Sequence, residues 1–95
     1  MNKYELGVVV DVRLDEEAQA AELEKIKELV TRLGGEIEKV DVWGKRRLAY
    51  EIQKQNEGNF NFITFASKTG VPKEIESRMR IMENVLRFLI IKQEA

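Results

Sequence analysis

Two stretches of this 95-residue chain carry the side chains best suited to chemistry on another molecule. The first is Trp43-Gly44-Lys45-Arg46-Arg47-Leu48-Ala49-Tyr50, in which three adjacent cations lie between two aromatic groups. Cations meet phosphate oxygens and aromatic faces stack on bases, so the combination suits a nucleic-acid surface. It equally suits a bent edge strand whose Lys and Arg keep one sheet from pairing with another. Spacing alone leaves both readings open. The second stretch is Phe60-Asn61-Phe62-Ile63-Thr64-Phe65. In a strand, successive side chains alternate between faces, so Phe60 and Phe62 share one face and Ile63 and Phe65 the other. Only one of these sets can face a core. If it is Ile63 and Phe65, then Phe60 and Phe62 are available to a partner and Asn61 is buried.

Most enzyme chemistry lacks its reagents here. The chain has no Cys and no His, which removes disulfides, thiolate chemistry, Cys-based zinc sites and the usual imidazole base. Acid–base work would fall to carboxylates such as Asp15, Glu16, Glu17, Glu22, Glu24 and Glu28, whose positions read as a solvated helix face. Gly34-Gly35 follows a helical pattern and precedes an extended one, the wrong context for a phosphate-cradling loop. No EF-hand spacing occurs, and Asp15-Glu16-Glu17 is accounted for by a helix start. No cofactor is expected.

A net charge of −1 and a pI near 5.6 argue against a general nucleic-acid coat, because non-specific binding is largely counterion release by a positive surface. The charges are uneven, however, with Lys45-Arg46-Arg47 and Arg78 and Arg80 opposing the acidic run. A focused basic patch remains open. The longest apolar run, residues 88–91, is far short of the roughly 18 residues of a membrane span. The opening Met1-Asn2-Lys3-Tyr4 enters a strand-like pattern without an apolar signal segment, which points to a cytoplasmic protein.

The elements that must position these residues are legible in the apolar spacing. Tyr4, Leu6, Val8, Val10 and Val12 alternate as in a half-buried strand, and Val9 on the other face suggests a central one. Asp15 suits an N-cap, and Ala18, Leu23, Ile26, Leu29, Val30 and Leu33 form a helical stripe that Gly34-Gly35 ends. Residues 36–52 are extended, with a parity slip that predicts a bulge or bend near Gly44. Residues 53–58 read as a hairpin turn and residues 60–65 as the returning strand. Pro72 opens a second helix carrying Ile75, Met79 and Met82, which ends near Asn84. A last strand has Phe88 and Ile90 on one face and Leu89 and Ile91 on the other. The order β-α-β-β-α-β over residues 1–95 predicts one α+β domain, a ferredoxin-like split sandwich with a four-stranded antiparallel sheet and two helices on one face. The uncovered sheet face is the natural place for a partner.

Residues 60–65 resemble part of an RNA-recognition-motif signature, whose alternate aromatics stack bases. The match is partial, since Gly58, Asn59 and Asn61 replace its basic, glycine and small positions. A wider resemblance rests on the Trp43–Tyr50 stretch, on Met1-Asn2-Lys3-Tyr4-Glu5 and on Glu83-Asn84-Val85-Leu86-Arg87-Phe88-Leu89-Ile90-Ile91-Lys92. Over nearly the whole chain the sequence is similar to the bacterial S-six family of the small ribosomal subunit. The resemblance implies a non-catalytic protein that binds the central domain of small-subunit ribosomal RNA jointly with the basic eighteenth protein of that subunit. It implies partner docking at Trp43, Gly44, Arg46, Leu48 and Tyr50, and RNA contacts at Lys3, Arg47, Arg87 and Lys92. Plain alternatives stand beside these roles: solvated strand ends for Lys3 and Lys92, a stem covering apolar surface for Arg87, and core packing for Trp43. Two positions depart from the family pattern, Glu51 where a proline is usual and Met82 where an asparagine or aspartate is usual. An autonomous single-strand RNA binder using Phe60 and Phe62 is the second reading, and a ligand-binding or enzymatic split sandwich the third.

Overall fold

Alternating apolar residues build the first strand, β1 (Asn2–Val10), in which Tyr4, Leu6, Val8 and Val10 turn to the core. Helix α1 (Glu16–Arg32) begins where the Asp15 carboxylate accepts the Ala18 amide at 2.7 Å, the capping bond that its sequence position predicts. It ends where Gly34, at φ +102°, turns the chain and the Gly35 amide donates to the Val30 carbonyl at 2.8 Å. Then come β2 (Glu36–Ile52), β3 (Gln55–Ser67), α2 (Val71–Met79) and β4 (Val85–Gln93). This computed structural model describes residues 1–52 and 55–93.

The strands form one antiparallel sheet in the order β2-β3-β1-β4, so β1 is central and β2 and β4 are edges. Both helices pack on one face: Ile26, Leu29 and Val30 of α1 and Ile75 and Met79 of α2 meet Tyr4, Leu6, Val8, Val10, Ile63 and Phe65. Tyr4 and Phe65 stack with centroids 5.6 Å apart. The architecture is the expected ferredoxin-like split β-α-β sandwich.

Several local expectations need correction. The β2–β3 turn is shorter than residues 53–58: Ile52 already pairs with Gln55, and Gln55 to Gly58 are strand, while Gln53 and Lys54 lie outside the described residues. Helix α2 stops at Met79 rather than near Asn84, and Met82 packs on the core from the loop beyond it. Val12 follows the end of β1. Glu22 is buried rather than solvated, because its carboxylate accepts the Asn84 amide at 3.0 Å and ties α1 to the loop before β4.

The hairpin's path decides the shape of the open face. β2 shifts register between Val42 and Gly44, and Gly44 sits at φ +80°, a conformation that side-chain-bearing residues rarely adopt. Past this bulge the hairpin bends across the sheet. Gly58 permits the approach: a β-carbon there would stand 2.2 Å from Val9 Cγ1. At the far end Gln55 is buried, its amide nitrogen 2.8 Å from Asp11 Oδ1 and its oxygen 3.0 Å from an Arg13 guanidinium nitrogen. Arg13 also grips Asp11 at 2.9 Å. That side-chain hydrogen bond, partly opposed by burial, holds the Asp11 carboxyl below its ordinary pKa, and Arg13 is raised in turn.

Candidate nucleic-acid and partner interface

Register assigns each side chain to a face. Phe62 is opposite Gly7 and Phe60 opposite Val9, on the side away from the helices, whereas Asn61, Ile63 and Phe65 lie beneath them. Asn61 is 1% exposed, as this assignment of faces requires, and its Oδ1 lacks a hydrogen-bond partner among the described residues. Burying a polar amide here is the penalty for placing both phenylalanines on the open face.

On that face the bent hairpin and the sheet enclose a groove of about 340 Å³. Val9, Phe60, Phe62 and Leu89 come from the sheet and Arg47, Leu48 and Tyr50 from β2, with Arg87 opposite on β4. The hairpin spans the sheet far enough for Arg87 Nη1 to donate to Tyr50 Oη at 2.6 Å, with the guanidinium carbon 5.6 Å from the ring centroid. A cation held over an aromatic ring and bonded to its hydroxyl is a positioned cation. Trp43 packs on Phe62 at 4.6 Å between centroids yet remains 53% exposed, and Tyr50 is 59% exposed. Both offer apolar area at the sheet margin.

The nine residues singled out from the sequence fall in three places. The structure brings Arg47, Leu48, Tyr50 and Arg87 together around the groove, with Trp43 beside it against Phe62 and Gly44 supplying the bend. Arg46 is exposed, with Nη1 donating to the Lys45 carbonyl at 3.0 Å, and pairs in register with Gly58. Lys3 and Lys92 stand apart. Lys3 is six residues along β1 from Val9, roughly 20 Å by strand rise, and pairs with Glu38 at 3.5 Å. Lys92 is exposed on β4 opposite Tyr4, which turns its side chain to the other face from Lys3. The side chain of Glu51 lies outside what the structure describes.

Sequence reasoning missed Gly7 and Leu89 as groove residues, and the Asp11–Arg13–Gln55 tether altogether. Gly7 did leave a signal, a glycine inside a strand pattern. A β-carbon at that position would stand 3.0 Å from Phe62 Cε1, so the glycine makes room for the ring.

Comparison with known proteins places this geometry. The family model described as ribosomal protein S6 matches residues 3–92. The chain belongs to the ribosomal protein S6 family. It is 47% identical over 94 residues to the small ribosomal subunit protein bS6 of Clostridium acetobutylicum, covering 99% of each chain. The Clostridium botulinum protein of the same name is 43% identical, with 99% of this chain and 100% of that one covered. Among solved structures, the crystal structure of 30S ribosomal protein S6 from Thermotoga maritima superposes with a TM-score of 0.92 at 29% identity, covering 97% of this chain and 87% of that one. As a member of the S6 family the chain is a structural, non-enzymatic constituent of the small ribosomal subunit and works in the cytoplasm.

Proposed function

We propose that this chain binds the central domain of small-subunit ribosomal RNA jointly with the eighteenth protein of that subunit. The observation that carries the reading is the meeting of Arg47 and Arg87 with the exposed ring of Tyr50 around one groove of the open face. Neither arginine is ion-paired to a carboxylate among the described residues, so both keep charge for phosphates. Trp43, Gly44, Arg46, Leu48 and Tyr50 on the bent edge strand dock the partner protein. Arg47 and Arg87, with Lys3 and Lys92 as outlying contacts, meet RNA. A chain of net charge −1 does not coat RNA alone, whereas a basic partner docked beside it supplies the missing positive field. Binding is therefore cooperative, and each component raises the affinity for the other by the same factor.

The autonomous single-strand platform is disfavoured by Phe62, which lies half-buried under Trp43, and by the hairpin that roofs part of the face. Calorimetric titration of the chain into the central-domain RNA, alone and with the eighteenth protein present, tests the reading. Weak binding alone and tight binding together are expected. Equal affinity in both titrations would count against joint recognition.

A further inference from the structure

We propose that the pocket between the first turns of α1 and the bulge of β2 binds a primary alkylammonium group, the cation carried by polyamines and by lysine side chains. It lies on the helix side of the sheet, away from the hairpin groove, and stands independently of the joint-binding reading. Its volume of about 590 Å³ is within the range of small-molecule sites. Leu14, Leu23 and the exposed Val42 supply apolar walls. Asn61 is the one buried residue of the lining and so marks its inner end.

A series of amides decides what the inner end asks for. The Leu14 carbonyl can only accept, so Gln19 turns Nε2 to it at 2.7 Å, and Gln19 Oε1 then accepts Asn59 Nδ2 at 2.8 Å. Asn59 has an oxygen left to offer Asn61, whose Nδ2 lies 3.5 Å from Asn59 Oδ1 and 3.3 Å from the Asn59 carbonyl oxygen. With every amide turned the same way, the series ends in an acceptor, Asn61 Oδ1, which lacks a partner among the described residues. Such an oxygen costs free energy until a donor reaches it. The mouth selects the charge of that donor. Asp15, which caps α1 through the Ala18 amide, and Glu16 are both exposed there. Lys45, the cation of the lining, has its ammonium 3.6 Å from the Glu57 carboxylate. Two carboxylates outweigh the partial positive charge of the helix end, so the field favours a cation. An ammonium on an alkyl stem meets each demand, with N–H donors for Asn61, a charge suited to Asp15 and Glu16, and a stem for the apolar walls.

The test uses the full chain with n-butylammonium and putrescine, followed by the side-chain amide NMR signals of Gln19, Asn59 and Asn61 and the methyl signals of Leu14, Leu23 and Val42. Both amines are expected to move these signals, with affinities of roughly 1 mM. At the same concentrations n-butanol, butyrate and n-butyltrimethylammonium are expected to leave them in place: the first lacks the charge, the second carries the wrong one, and the third has no N–H. Asn61→Leu should abolish the response in a chain that still folds, because an apolar side chain of similar size replaces a buried amide with an unpaired oxygen. Asp15→Asn keeps a capping side chain at the start of α1 and should weaken the response by up to about fivefold. The proposal is overturned if the quaternary amine reproduces the shifts, if neither primary amine moves them, or if Asn61→Leu binds amines as well as wild type. The same signals, read with the eighteenth protein bound, distinguish the sources. Contact between a lysine ε-methylene of that protein and the Asn61 amide assigns the pocket to the partner, and a retained putrescine response assigns it to a free polyamine.

Discussion

The two faces of β3 differ in what they ask of their residues. Toward the helices, Ile63 and Phe65 are fully buried in a core of aliphatic and aromatic side chains, and even Asn61 is sealed there, its oxygen without a hydrogen-bond partner among the described residues. Toward the open side, Phe60 and Phe62 are only half-buried, and they face a hairpin that comes from the same chain but packs loosely enough to leave a groove. One strand thus separates stability from recognition by parity alone. The covered face spends its apolar area within the fold, and the open face keeps part of it for another molecule.

Substitutions on the two faces should break this contrast in opposite ways. Phe65→Ala has the largest expected effect: removing a wholly buried ring costs about 3–5 kcal/mol of stability, read by urea denaturation. Gly58→Ala comes next. Its new methyl meets Val9 Cγ1, so Val9 must change rotamer or the hairpin must lift, at about 1–3 kcal/mol. The double variant Val9→Ala, Gly58→Ala should recover most of that cost, and a failure to recover would show that the hairpin does not rest on Val9.

Asp11→Asn should have the smallest effect at neutral pH and the most informative pH dependence. The folded-state pKa of Asp11 lies below the ordinary 3.8, so its contribution is present above that value and is lost as pH falls through the folded value. Wild type should lose more stability than Asp11→Asn on acidification from pH 7 to below the carboxylate range, measured by denaturation at each pH. Parallel acid limbs would mean that the ionised Asp11 carboxylate gains nothing from Arg13 in the folded chain.

Most of the fold was legible because its signals are local. The alternation from Tyr4 to Val10, the Asp15 cap, the Gly34-Gly35 stop and the slip at Gly44 each follow from a few neighbouring residues. The site was legible in its residue types but not in its assembly. Leu48 and Tyr50 carry a different expected role from Arg47 and Arg87, and nothing in their spacing says that a bend at Gly44 carries Tyr50 across the sheet to the opposite edge strand. The reach depends on long-range contacts, the Gly58–Val9 approach and the docking of Gln55 on the Asp11–Arg13 pair, which join residues distant in sequence. Glu22 escaped for the same reason, since a carboxylate in an acidic helix reads as solvated until Asn84 is found beside it.

The most direct test of the division between faces is a methyl NMR comparison of the free chain with its complex of ribosomal RNA and the eighteenth small-subunit protein. The signals of Val9, Leu48, Leu89 and Ile91 on the open side should shift, while those of Leu33 and Ile81, on the helix side and in the loop after α2, should hold. Shifts confined to Leu33 and Ile81, with the groove signals unmoved, would contradict the account.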